Sequence, residues 1–208
     1  MKLKANKICQ KCRRANQKLF LKGEKCLSSK CPFTKRAYAP GQHGQNPTRT
    51  TEYGRQLREK QKAAQIYGIT DRQFRNYYQK ALRKKGMTDL ALLRFLEMRL
   101  DNILYRLGFA SSRREAKALI RDGHIVVNSK KVTSPSFQLK VNDLVGIREL
   151  SQKKQIFQEI KEKLKKAQAA NWLKLYPDKL QGQIIKIPER EDIETPIDEQ
   201  IILEYFAR

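Results

Sequence analysis

SRREAKALIRDGHIVVN, Ser112 to Asn128, changes its period half-way along. Ser112 stands three residues before Glu115, the spacing of a capping box, and opens a helix that Gly123 closes. At 100° per residue Ala116, Leu119 and Ile120 fall on one face, while Arg113, Arg114, Lys117 and Arg121 crowd an adjoining arc of about 100°. One face suits a core and the other an anion. From His124 the period becomes two: His124 to Asn128 reads as a strand, Asn128-Ser129 as a turn, and Phe137, Leu139 and Val141 alternate. Asn142-Asp143 reads as a second turn before Leu144-Val145-Gly146-Ile147. A helical start followed by a small sheet makes an α+β module over 97–158.

Upstream the pattern is helical. Tyr53, Leu57, Ala64 and Tyr67 share one face of a helix over 52–67, with Arg55, Arg58, Lys60 and Lys62 largely elsewhere. Thr70 to Gln73 is another capping box, and the helix it opens carries Arg72 and Arg75. A third helix starts near Asp89; periodicity alone leaves open whether it runs unbroken to Leu107. Downstream, 152–170 reads as a basic helix, 172–187 as two short strands around Gly182, and 198–207 as a final amphipathic helix. The apolar groups of 172–208 are too few to bury one another, so that segment is expected to return to the helices of 52–96. The expected division is an arm over 1–45, a helical domain over 46–96 and 159–208, and the module between.

The charge narrows the partners. Forty-five Lys and Arg against 21 Asp and Glu leave +24 on 208 residues, spread along the chain rather than held in one block. Such a field opposes compaction and calls for a polyanion, nucleic acid before an anionic membrane. No run of apolar residues is long enough to span a bilayer, and the Lys-bearing N-terminus has no apolar core of a secretory signal.

Cys9-x2-Cys12 and Cys26-x4-Cys31 hold all the cysteines of the chain within a weakly apolar segment. That spacing is suited to a four-thiolate metal knuckle, with zinc the default ion and an iron–sulfur cluster the alternative. Basic neighbours, among them Arg13 and Arg14, favour thiolates and suit a knuckle lying on phosphate. His43, in the loop Pro40-Gly41-Gln42-His43-Gly44, reads as a residue held by backbone or RNA, and His124 as a contact to phosphate or sugar. No set of nucleophile, base and acid is visible, so no catalysis is expected.

Ser112 to Ala116, Gly123 to Asn128, Pro135-Ser136 and Asn142-Asp143 resemble the S-four RNA-binding module, which RNA-modifying enzymes and a tRNA-synthetase tail also carry. Outside it, Pro40 to Gly44, Leu57 to Lys62, Ile66-Tyr67-Gly68, Arg72 to Asn76 and Arg99-Leu100-Asp101-Asn102 resemble signature runs of the bacterial-type small-subunit ribosomal protein S-four family, as does Asp198 to Tyr205. The resemblance implies a primary 16S rRNA-binding protein that nucleates assembly of the 5′ domain and contributes to translational accuracy with ribosomal protein S-five. It further implies other small-subunit proteins as neighbours, mRNA nearby where it enters the subunit, translational autoregulation, and a cytoplasmic ribosome or a plastid stroma. It implies a metal held by Cys9, Cys12, Cys26 and Cys31. The expected RNA-binding residues are Arg13, Arg14, Lys35, Arg36, His43, Arg49, Arg55, Arg58, Lys60, Lys62, Arg72, Arg75, Arg113, Arg114, Lys117, Arg121, His124, Asn128, Lys130 and Lys131. The basic run that follows His43-Gly44 in the family is thinned here to Arg49. The rival from another class, an enzyme bearing this module, needs a catalytic domain for which the flanks offer no motif.

Overall fold

The computed structural model describes residues 5–46, 49–84, 86–165 and 169–208. Two compact units form: one from the residues up to Asn76 together with Pro196–Arg208, the other from Tyr77–Thr195. The first begins with α1 (Ala5–Arg14), α2 (Glu24–Leu27) and α3 (Pro32–Lys35) of the arm. It continues through α4 (Glu52–Tyr67) into α5 (Asp71–Leu82), within which the division between the units falls. Thr51 caps α4, its hydroxyl accepting from the Gly54 N–H at 3.2 Å. The capping box before α5 is reciprocal: Gln73 N donates to Thr70 Oγ1 at 3.3 Å, and Thr70 N donates to Gln73 Oε1 at 3.2 Å.

The second unit carries α6 (Thr88–Glu97), α7 (Leu100–Arg106) and α8 (Arg113–Arg121), followed by β1 (Ile125–Val127), β2 (Lys130–Lys131) and β3 (Leu144–Ile147). Then come α9 (Glu149–Gln152), α10 (Gln155–Lys165), β4 (Leu173–Tyr176) and β5 (Gln181–Ile184). Part of the basic helix expected over 152–170 lies outside the described residues. The helix from Asp89 does not reach Leu107 unbroken. Arg99 is extended (φ −75, ψ 140), and the backbone there turns outward to bond with 135–139: Leu100 N donates to Phe137 O, Asp101 N to Pro135 O, and Leu139 N to Met98 O. Those bonds also explain why 137–141 forms only a single bridge, Gln138 opposite Arg99, instead of an alternating strand.

The strands form one antiparallel sheet in the order β2-β1-β3-β5-β4. Asn128 and Ser129 both have positive φ, 47 and 66, the conformation that a tight two-residue hairpin between twisted strands requires. One face of the sheet, with Ile125, Val127, Val145, Ile147, Leu173 and Ile184, is buried with α7, α8 and α10. Gly182 permits this packing, because a Cβ there would meet both Leu107 methyls within 2.7 Å.

The C-terminal segment divides, which corrects the expectation that 172–208 returns as a whole to the first helices. Trp172, Leu173, Leu180 and Ile184 belong to the core of the second unit, since β5 pairs with β3. The last helix, α11 (Glu199–Phe206), packs on α4 instead. Asp198 caps it by accepting from Ile201 N, and Phe206 stacks on Phe74 with ring centroids 5.8 Å apart. Among the described residues no helix is long and apolar enough to cross a membrane.

Candidate nucleic-acid interface

In the arm, Cys12, Cys26 and Cys31 are buried and Cys9 is half-buried, and none of the four is in a disulfide. Burial pushes the Cys12 and Cys26 thiols up, and negative charge on neighbouring cysteines would push them further. Burial also works upward on Cys31, but hydrogen bonds from the Phe33 and Thr34 backbone outweigh it and hold that thiol below its ordinary value. Lys22 N donates to Cys26 Sγ at 3.3 Å, and Cys12 has a backbone hydrogen bond from Leu19. The sulfurs therefore sense one another and accept backbone donors, both of which suit a thiolate metal site. Among the described residues no three His, Cys, Asp or Glu side chains are gathered closely enough to be grouped as a metal shell.

In the same unit, Arg13, Arg14, Tyr38, His43 and Arg58 line a cleft of about 660 Å³. Arg13 donates from Nε to the Tyr38 carbonyl at 2.9 Å and lies 5.1 Å from the Tyr38 ring centroid. Arg14, Lys35, Arg36, His43 and Arg49 are exposed. On α4, Arg55 pairs with Glu52 at 3.2 Å and Arg58 donates to Thr50, and both remain exposed. Lys62 is half-buried and held by Glu59 at 2.7 Å. Lys60 is 7% exposed: its ammonium donates to Asp71 and lies 4.5 Å from the Tyr205 ring centroid. It pins α4 to its own unit and is not presented to an outside anion. Arg72 and Arg75 are exposed on α5.

The crowded arc on α8 splits in two. Arg113 donates to Asn102 Oδ1 at 2.7 Å and covers the Tyr105 ring at 4.5 Å. Lys117 reaches Asp101 at 3.3 Å, and burial lowers its pKa against that carboxylate's opposing pull. Arg114 and Arg121 are exposed. Counter-charge for part of the arc thus comes from α7, which the helical wheel could not display. Asp101 also takes a two-pronged bond from Arg99, at 3.0 and 2.8 Å, with the two side chains 1% and 2% exposed. Burial works against the Arg99 charge, but Asp101 and Tyr77 more than restore it and raise the pKa. Asn102 in turn donates to Glu97, which also holds Arg106.

His124 is half-buried, with Nδ1 2.9 Å from Ser151 Oγ and its ring edge-on to Phe157. Burial and Lys154 depress its pKa. Asn128 is exposed but bonded: its side chain donates to Asp143 at 2.8 Å and accepts from Leu144 N at 2.9 Å, fixing the turn that presents the exposed Lys130 and Lys131. Arg148 and Lys179 join Lys131 around a second cleft of about 890 Å³. Neither stands out in the sequence, because the pairings of β1 with β2 and β3 bring Arg148 to Lys131, and that of β3 with β5 adds Lys179.

Residues 4–97 match the family model of the ribosomal protein S4/S9 N-terminal domain, and 98–145 match that of the S4 domain. The chain is 47% identical over 200 residues to small ribosomal subunit protein uS4 of Acetivibrio thermocellus, covering 96% of each. It belongs to the uS4 family. The uS4 proteins of Natranaerobius thermophilus and Geotalea daltonii are 48% and 50% identical to it, again across at least 96% of both chains. The boundary between the two family models, 97 to 98, falls where the chain leaves α6 and bends toward Arg99.

Proposed function

We propose that this protein is a structural component of the small ribosomal subunit that binds 16S rRNA. The observation that carries the reading is the exposed set Arg114, Arg121, Lys130 and Lys131 on one RNA-binding-type module of a chain with net charge +24. Exposed cations of this kind gain most from a polyphosphate, whose counterions they release. The same reading gives the protein a place early in assembly of the 5′ domain, ribosomal protein S-five among its protein neighbours, and a role in accuracy. It also places mRNA nearby, where it enters the subunit, and allows binding of its own message. The test is filter binding of a 16S 5′-domain transcript across a salt series. Affinity is expected to fall steeply, by a log–log slope of about −0.9 per phosphate neutralised, by analogy with DNA. A flat salt response overturns the reading.

The arm, in the same proposal, holds one zinc ion through Cys9, Cys12, Cys26 and Cys31. Support comes from buried thiols that accept backbone N–H donors and whose charges add against one another, a cost that a divalent cation removes. Zinc supplies a fixed crosslink between α1 and the α2–α3 segment, worth about 10–16 kcal/mol in small knuckles. Elemental analysis of anaerobically prepared protein is expected to find one metal per chain, lost in Cys26→Ser; iron in place of zinc would identify a cluster instead. Metal-free wild type overturns this part.

A further inference from the structure

We infer that the solvent face of the five-stranded sheet, with the cleft beside it, is a second RNA-binding surface that takes unpaired nucleotides; the inference rests on the RNA-binding reading above and adds a place and a ligand class to it. The register defines the face. Lys131 stands opposite Val126, Val126 opposite Gly146, Gly146 opposite Gln181, and Gln181 opposite Tyr176. Residues directly opposite in an antiparallel pair share a face, so this row runs across the whole sheet on the side away from the core. Leu144, opposite Gln183, lies on the same side.

The surface has three properties. It is apolar where a soluble domain is usually polar: Leu144 is 41% exposed and Leu150, on the cleft rim, is 69% exposed. It is basic at the edge, where Lys131, Arg148 and Lys179 line the cleft against the single acid Glu149. It is also flat. A Cβ on Gly146 would meet Gln181 Cγ at 2.8 Å, so the glutamine lies across a strand position that has no side chain to lift it. Tyr176 extends the face, its hydroxyl donating to Gln183 at 3.2 Å and its ring 5.4 Å from the Lys174 ammonium.

A basic edge beside exposed leucines and the amide of Gln181 is what an unpaired nucleotide complements, because it offers a phosphate, an exposed base face and hydrogen-bonding edges together. A duplex hides its base faces and would leave Leu144 and Leu150 in water. A basic protein segment would be repelled by the rim. The cleft, at about 890 Å³, is within the size range of small-ligand sites.

The test uses the full chain and an octauridylate carrying one central 4-thiouridine, with an RNA hairpin of similar charge as competitor and the 16S 5′-domain transcript measured in parallel. Ultraviolet crosslinks are expected at Tyr176 or within 144–152. Leu144→Ser with Leu150→Ser, both exposed positions, should weaken octauridylate binding about tenfold, the scale of a single stacked base, while transcript binding is retained. Arg148→Gln with Lys179→Gln, neither of them in the cation set on which the transcript reading rests, should weaken it independently. Crosslinks confined to the arm or α8, an unchanged affinity in both double variants, or a hairpin that competes as well as single strand would each overturn the inference while the transcript still binds. So would capture of an acidic peptide in preference to the oligonucleotide. Loss of transcript binding by the wild type would remove the RNA reading itself.

Discussion

Asp101 is the shared counter-charge for two cations in the interior of the second unit. It is 1% exposed and faces two cations, Arg99 and Lys117, so its carboxylate is the counter-charge that makes their burial tolerable. Removing one member of a buried pair leaves an uncompensated charge, at about 3–5 kcal/mol. Asp101→Ala is therefore expected to lower the urea unfolding free energy by that order, and a decrease no larger than that of an exposed substitution would contradict it. Lys60 and Lys117 show where the sequence stops being informative: on a helical wheel a buried lysine and a solvated one look alike, and the deciding partners, Asp71 and Asp101, are on other elements. His124 carries a pH signature. Burial and Lys154, with Lys131 adding and Asp122 opposing, place its folded pKa below the ordinary imidazole value of about 6.5. The native state then binds fewer protons than the unfolded one, so this contribution is complete above that value and is lost as pH falls through it toward the folded pKa. His124→Gln is expected to lose less stability than wild type between neutral and mildly acidic pH, measured by thermal melts; parallel losses would assign the acid sensitivity to other groups.

At the level of elements, α8 does two jobs with one row of cations. Arg113 and Lys117 are turned toward Asn102 and Asp101 of α7, whereas Arg114 and Arg121 are exposed. Arg114→Gln with Arg121→Gln should reduce the salt slope of transcript binding by about 0.9 for each phosphate left unneutralised, with stability nearly unchanged. Arg113→Gln and Lys117→Gln should act chiefly on stability. If all four substitutions shift the slope alike, the division is wrong. The helix itself was legible from Ser112 and Gly123, since caps act through neighbouring backbone; only the reach of Glu115 differs, to Ser111 N at 2.8 Å. The Asn128-Ser129 turn was legible for the same local reason. The break at Arg99 was not, because its backbone bonds to 135–139, and periodicity says nothing about partners so distant in sequence. Nor was the pairing of β5 with β3, for an apolar alternation specifies a face without naming the neighbour.

Across the whole molecule, the chain's last third serves both units, and this can be separated by truncation. Deleting Pro196–Arg208 removes Ile202, buried to 1% exposure and worth about 1.5–3 kcal/mol of burial, and the half-buried Phe206, stacked on Phe74. It also removes Tyr205 from the Lys60 ammonium and Glu204 from Gln56, leaving polar groups of α4 facing a vacated surface. Hydrogen exchange over 52–67 is expected to accelerate, while 97–147 keeps its protection, because the sheet and its core do not involve the deleted helix. Deleting 169–208 should behave differently. It takes Trp172, Leu173, Leu180 and Ile184 out of the second core and leaves β3 without its β5 partner, a removal of several large side chains at about 2–5 kcal/mol each. Against a typical domain stability of about 5–15 kcal/mol, that is enough to unfold the second unit as well. Protection over 97–147 surviving the longer deletion would show that the β4–β5 hairpin adds to a sheet already stable without it; its collapse would show that the RNA-binding module of this chain is completed by residues well beyond the 145 at which its family match ends.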